Sequence, residues 1–233
     1  MIEAPSKGAV IVAAGSGKRM SAGKNKLLLN VLGKSILSYT VSAFDKCKDI
    51  DEIILVINEI DRAEIESIIK SEKFSKIKAV VNGGKTRQES VMAGLKMLKT
   101  DIVIIHDGAR CLVTQEIIKS CLKAAWEYNC AACGIISTDT LKHVENGYIT
   151  STIDRNNTYR IQTPQAFKRD IIINAHQKAL SEGFSGTDDC SLVERLGIPI
   201  KFVEGSEENI KVTKKEDLLL AEYILSVRGN KIL

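Results

Sequence analysis

The feature that most constrains this chain is its regular alternation of short β-branched apolar runs with amphipathic helical stretches. Strand patterns fall at Ala9–Ala13, Ile53–Ile57, Ile77–Val81, Ile102–Ile105, Ala131–Ile136 and Ile200–Val203. Helical periodicity falls near Ile36–Phe44, Arg62–Lys70, Arg87–Leu98, Gln115–Tyr128, Asp170–Ser181 and Lys215–Val227. This alternation is the mark of βαβ units, whose crossover helices make the strands parallel and cover both faces of the sheet. The first four runs are nearly continuous in hydrophobicity, as strands buried on both sides require. The predicted fold class is therefore α/β with a mostly parallel sheet. With 233 residues, 44% hydrophobic and only 3 Pro, the chain suffices for a single domain over residues 1–233.

One segment breaks the rhythm. Residues 139–160 have no helical period but carry polar β-branched residues around Asn146-Gly147, a strong hairpin signal. We read a protruding β-arm. An isolated two-stranded hairpin is marginal in water, so such an arm needs a partner surface, and a symmetric homodimer supplies one.

Composition excludes several classes. No apolar run approaches the roughly 20 residues that span a bilayer, and the N-terminal stretch to Gly15 has no basic segment followed by a long apolar one, so a cytoplasmic protein is expected. The six Cys are scattered through strand and helix patterns and are read as free thiols. Cys130 and Cys133 have the spacing of a zinc or redox pair, but no second pair exists and no His is near in sequence, so they are read as core residues. A net charge of +4 without Arg/Lys blocks interleaved with aromatics argues against nucleic acid and suits a small anionic substrate.

Ligands of open parallel sheets bind beyond the carboxyl ends of the strands. There the chain runs into Ala13-Ala14-Gly15-Ser16-Gly17-Lys18-Arg19-Met20, then Asn82-Gly83-Gly84-Lys85-Thr86-Arg87-Gln88, then His106-Asp107-Gly108-Ala109-Arg110. In the first loop Gly15 and Gly17 let backbone amides approach an anion, while Lys18, Arg19 and Lys26 supply charge, which describes a triphosphate cradle. Two better-known motifs fail. Gly84-Lys85-Thr86 lacks the Gly a P-loop needs at position 79, which is Ala, and the G-x-G-x-x-G pattern begun by Gly15 ends on Met20. Asp107, at the sheet edge, offers a hard oxygen to a divalent ion bridging phosphates. His106 is read as structural.

Together with Asn25-Lys26-Leu27, Arg87-Gln88-Glu89-Ser90-Val91, Asp139-Thr140, Asp154-Arg155, Gln162-Thr163-Pro164-Gln165, Thr187-Asp188-Asp189 and Asn209-Ile210-Lys211-Val212-Thr213, these loops resemble, in order and nearly end to end, the signatures of methylerythritol phosphate cytidylyltransferases. The resemblance implies a Rossmann-like nucleotidyltransferase domain, a homodimer built by the β-arm, CTP and a sugar-alcohol phosphate as substrates, and Mg2+. It assigns Arg19 and Lys26 to the triphosphate and the transition state, with Lys211 as a third catalytic cation on the phosphates. It places Ala13, Ala14, Gly15, Gly83 and Ser90 around the cytidine, and Asp107 at the metal and ribose. It gives the second substrate to Arg110, Thr140, Arg155, Thr163, Thr187 and Glu208, with Thr140 and Arg155 reaching the neighbouring subunit's site.

Three positions depart from the family's pattern. Asn82 stands where many members carry Asp, and its amide can still bond cytosine or ribose; Asn25 replaces a frequent Pro; Cys111 replaces the Pro usual after His-Asp-x-x-Arg and is expected to be open to thiol reagents. Gly108 keeps a ribitol 5-phosphate cytidylyltransferase as a rival reading, although relatives of that type begin with Leu-Ala-Gly-Gly rather than Ala13-Ala14-Gly15-Ser16. A non-catalytic nucleotide-sensing module on the same fold is the rival of another class, and the cations Arg19, Lys26 and Lys211 argue against it.

Overall fold

The computed structural model describes residues 4–15 and 25–230. Strands β1 (Lys7–Ala13), β4 (Glu52–Ile57), β5 (Ile77–Asn82), β6 (Ile102–Asp107), β7 (Cys130–Ile136), β10 (Tyr159–Lys168) and β11 (Lys201–Glu204) form one seven-stranded sheet, ordered β11-β7-β10-β6-β1-β4-β5. All neighbours are parallel except β10, which runs antiparallel to both β6 and β7. Between the strands lie α1 (Ile36–Asp45), α2 (Arg62–Glu72), α3 (Arg87–Leu95), α4 (Gln115–Tyr128), α5 (Arg169–Ser181), α6 (Asp189–Glu194) and α7 (Lys215–Asn230). Strands β2 (Asn30–Val31) and β3 (Lys34–Ser35) make a small hairpin leading into α1.

The hydrophobic runs are continuous because each strand faces two cores. Ala9, Ile11, Ala13, Ile53, Leu55, Ile57, Ile102 and Ile104 enter one apolar cluster, and Val10, Ile54, Val56, Val103 and Ile105 enter the other. Successive side chains of a strand point to opposite faces, so this division follows from the pleat. Register aligns the strand ends: Ala13 lies opposite Ile57, Ile57 opposite Asn82, and Val12 opposite Asp107. The carboxyl ends of β1, β4, β5 and β6 therefore share one edge.

The six expected strands and six expected helices are present with small shifts at their ends, the largest being at α3, which stops at Leu95 rather than Leu98, and α7, which runs to Asn230 rather than Val227. The strand missing from the sequence reading is β10. Its pairing with β7 shifts register between Ile161 and Gln165, around Pro164, and it buries Gln162, Thr163 and Gln165.

The arm is also observed as a hairpin, with β8 (Lys142–Glu145) antiparallel to β9 (Tyr148–Thr152). Asn146 (φ 51°) and Gly147 (φ 84°) both take positive φ, as the type I′ turn requires. Every residue of the two strands is exposed, including Val144, Tyr148 and Ile149. The arm ends sooner than expected: Tyr159 and Arg160 pair with Ile136 and Ile135 in the main sheet. No helix among the described residues is long and apolar enough to cross a membrane.

Candidate active site

A cleft of about 570 Å³ opens at the shared edge, lined by the ends of β1, β5 and β6, the first turn of α3, and the segments around Lys26 and Lys211. Its volume is within the range of small-ligand sites. Among the described residues, Lys26, Lys85, Arg87 and Lys211 line it with one carboxylate, Asp107. Four cations facing one anion make it a receptor for something more negative than the protein supplies.

Each wall has a local cause. Thr86 caps α3 by accepting from the Glu89 amide (3.1 Å), and Glu89 reaches back to accept from the Lys85 amide (2.6 Å), much as in a capping box. Ser90 Oγ donates to Thr86 O (2.9 Å) and accepts from the Gly84 amide (3.1 Å), so the Gly83-Gly84 loop is folded onto the helix. Gly83 has no room for a side chain: a Cβ there would stand 2.3 Å from Ala14 Cβ and 2.7 Å from Ser90 Oγ. Across the cleft, Val212 donates its amide to Ala109 O (2.9 Å), and Thr213 is bound through its amide and hydroxyl to Asp217 (2.7 Å each). Buried Asn209 donates to Thr163 O (2.9 Å). The segment so pinned delivers Lys211 Nζ to Asp107 Oδ2 at 2.7 Å.

Asp107 is the electrostatic centre. Arg87 Nε approaches Oδ1 at 3.1 Å and Arg110 Nε lies 3.9 Å from Oδ2. Burial alone would push this carboxyl up, but Arg87, Lys211 and Arg110 together hold it well below the usual carboxylate range. It is therefore ionised at any physiological pH. Arg87 also spans to the buried Asp189 (Nη1 to Oδ2, 2.8 Å), and the two carboxylates outweigh burial to hold its guanidinium charged. Asp189 in turn meets His176 (3.2 Å). Arg87 and Asp189 stand within motifs of the sequence but carry no assigned role there, because their pairing joins residues far apart in the chain.

His106 is fully buried, and burial lowers its pKa to about 4, so it is neutral. Its Nε2 meets Arg110 O (3.1 Å), which only accepts, so Nε2 carries the proton. Nδ1 is then the acceptor for the Thr163 hydroxyl (3.1 Å), leaving Thr163 Oγ to accept from the Asp107 amide (3.1 Å). Both hydrogen-bonding roles of Thr163 are thus spent behind Asp107, and the residue is 4% exposed.

Of the expected site residues, Ala14, Gly15, Lys26, Ser90, Asp107 and Lys211 line the cleft. Gly17, Lys18 and Arg19 lie outside the described residues. Ala13 and Gly83 sit directly behind the lining, at the ends of β1 and β5. Asn82 is turned aside, accepting from Arg62 (2.7 Å). Arg110 is mostly buried beside Asp107 and donates to Asn209 O (2.7 Å). Thr187 is exposed on the loop before α6. Thr140 and Arg155 are exposed at the two ends of the hairpin and line no part of this cleft. Glu208 is exposed, and Arg228 holds its carboxylate (2.6 Å). One expectation is corrected. Cys111 is 5% exposed, and burial pushes its thiol up to about 11, the opposite of what a thiol reagent needs. The cleft residues Asn58, Lys85, Thr86 and Thr213 were not foreseen.

Among the described residues no three His, Cys, Asp or Glu gather as a metal cluster. The donor set nevertheless fits a hard cation that needs little protein: Mg2+ is commonly held by one or two carboxylates together with substrate phosphates and water. Asp107 offers a carboxylate of that kind.

Comparison with known proteins agrees with this geometry. The profile of the 2-C-methyl-D-erythritol 4-phosphate cytidylyltransferase family matches residues 8–227. The enzyme of that name from Caldanaerobacter subterraneus subsp. tengcongensis is 46% identical, over 93% of this chain and 97% of its own length. The Geobacillus thermodenitrificans enzyme is 42% identical over 94% and 97%. The crystal structure of 4-diphosphocytidyl-2C-methyl-D-erythritol synthase from Anaerococcus prevotii superposes with a TM-score of 0.85 at 34% identity, covering 95% of this chain and 96% of that one. The fold is thus the Rossmann-like one of these enzymes. A cleft of phosphate-seeking cations around one ionised Asp, on a chain matched from end to end, makes this protein a member of the 2-C-methyl-D-erythritol 4-phosphate cytidylyltransferase family, the cytidylyltransferases of isoprenoid biosynthesis.

Proposed function

We propose that this chain transfers CMP from CTP to 2-C-methyl-D-erythritol 4-phosphate, releasing pyrophosphate, as a cytoplasmic homodimer. The observation that carries the chemistry is the placement of Lys26, Arg87 and Lys211 around Asp107 in one cleft. The methylerythritol substrate is favoured over ribitol phosphate because the relatives that match the whole chain act on it by name.

A phosphate monoester oxygen of the sugar attacks the α-phosphorus of CTP in line. A new P–O bond forms, the bond to the β-phosphate oxygen breaks, and its electron pair leaves with pyrophosphate. The nucleophile is anionic at neutral pH, so no general base is needed, and the chain's work is positioning and charge stabilisation. Lys26, held against Val212 O (2.8 Å), and Lys211 meet the phosphates, and the family resemblance adds Lys18 and Arg19 to the triphosphate. Gly83, Ser90, Ala13 and Ala14 bound the cytosine, whose 4-amino edge pairs with backbone groups. The family uses a divalent cation; Mg2+ is our assignment, held by Asp107, where it would neutralise phosphate charge.

Arg110 and Thr187 flank the sugar-phosphate side. Thr163 acts by fixing Asp107 rather than by touching substrate. The exposed Val144, Tyr148 and Ile149 of the arm suit burial against a second copy, which would bring Thr140 and Arg155 to the partner's cleft. The test is pyrophosphate release from CTP with methylerythritol, ribitol and erythritol phosphates. Release only with methylerythritol phosphate is expected; equal rates with ribitol phosphate, or none with any, would overturn the assignment.

A further inference from the structure

Lys26 sits on a single 3-10 turn, Lys26–Leu28, and its aim depends on how that turn is held. Leu27 anchors it in the core with Leu28 and Leu29 packed beside it, and Lys26 Nζ donates to Val212 O (2.8 Å). Asn25, 8% exposed, adds a polar constraint at the start of the turn. Its Oδ1 accepts from the Leu27 amide (3.1 Å) and its carbonyl from the Leu28 amide (3.0 Å), closing the turn from its N-terminal side. Its Nδ2 donates to Asp61 Oδ2 at 2.6 Å.

Asp61 stands at the N-cap of α2 but does not cap it, because its backbone is helical rather than extended (φ −93°, ψ −2°) and Asn58 caps the 3-10 turn that precedes it. Its amide donates to Asn58 O (3.0 Å), and Asn58 itself lines the cleft. The contact therefore ties the Lys26 turn to the loop leaving β4, a neighbour of β1 in the sheet.

Building on the proposed transferase activity, we infer that Asn25 and Asp61 form a clamp that positions Lys26 at the α-phosphorus, so that both are positioning residues for the reaction. A misplaced cation forfeits transition-state stabilisation while still attracting the triphosphate. The backbone suggests a rescue. Asn25 has φ −62°, the value a proline ring imposes, so Asn25→Pro restores by covalent constraint what the amide does by hydrogen bonds.

The test is steady-state pyrophosphate release together with amide hydrogen exchange at Leu28. Asn25→Ala and Asp61→Ala should each lower kcat by about tenfold with the KM for CTP little changed, and the double variant should be no worse than either alone. Asp61→Asn, whose amide oxygen still accepts, should stay near wild type, which separates the bond from the charge. In an Asn25→Pro background Asp61→Ala should have no effect. Exchange at the Leu28 amide, whose acceptor is the residue-25 carbonyl that proline retains, should quicken in Asp61→Ala and not in Asn25→Pro/Asp61→Ala. An unchanged kcat in Asn25→Ala, or an equal loss from Asp61→Ala in both backgrounds, overturns the clamp. If the wild-type protein releases no pyrophosphate at all, the proposed function fails, and the exchange cycle still decides the clamp.

Discussion

His106 makes the folded state itself sensitive to mild acid. It is wholly buried, its Nδ1 must stay unprotonated to accept from Thr163, and its pKa falls from about 6.5 to about 4. The unfolded chain therefore takes up a proton between those values that the folded chain refuses. A depressed folded pKa gives stability that is full above the unfolded value and is lost as pH falls through the window from about 6.5 to about 4. At about 1.4 kcal/mol per pH unit, the loss totals roughly 3 kcal/mol, a large share of a stability of 5–15 kcal/mol. Asp107, whose pKa is also depressed, loses its contribution only below the ordinary carboxylate range, so the upper window belongs to His106. Urea unfolding at half-unit steps from pH 7.5 to 4.5 should show a slope approaching one proton near pH 5. His106→Asn should be less stable throughout but nearly flat over the same range. A flat wild-type profile between pH 6.5 and 4.5 would refute the reasoning, because no neutral, buried imidazole could then be at Asp107's back.

Other outcomes bear on the chemistry. Lys26→Ala, Lys211→Ala and Arg19→Ala should each lower kcat by about 10²–10³ while moving the KM for CTP far less; a KM rise at unchanged kcat would reduce them to ground-state binding groups. CTP should be preferred to UTP, since buried groups paired with the 4-amino edge are left unmatched by O4, and competing rates for the two nucleotides measure this directly. Mixing inactive Lys26→Ala with inactive Arg155→Ala subunits should restore activity in mixed dimers, because one site regains both wild-type groups. Mixed dimers that form and stay inactive would place Arg155 in its own subunit's site or outside the chemistry.

The pattern of apolar runs settled the α/β class, the parallel core and the shared edge, because hydrophobic periodicity is a local property that packing reads directly. The loops after β1, β5 and β6 were legible for the same reason: a strand's end is where the sheet presents whatever follows it. The Asn146-Gly147 turn was equally local, demanding positive φ at both positions. Strand β10 was not legible. Its run Tyr159–Lys168 holds Pro164 and three buried polar residues, and Pro argues against a central strand unless a register shift absorbs it. Only the tertiary structure showed that shift, and only there do Gln162 and Thr163 find partners in Asn209 and His106. The same holds for the pairs that tune the site. Asp107 with Lys211, Arg87 with Asp189, Asn25 with Asp61 and Glu208 with Arg228 join residues 20 to 104 positions apart or on separate elements. A chain's charges are written in its sequence, but which charge each one meets, and how deeply the pair is buried, is decided by the fold, and electrostatic energy depends on both distance and surroundings.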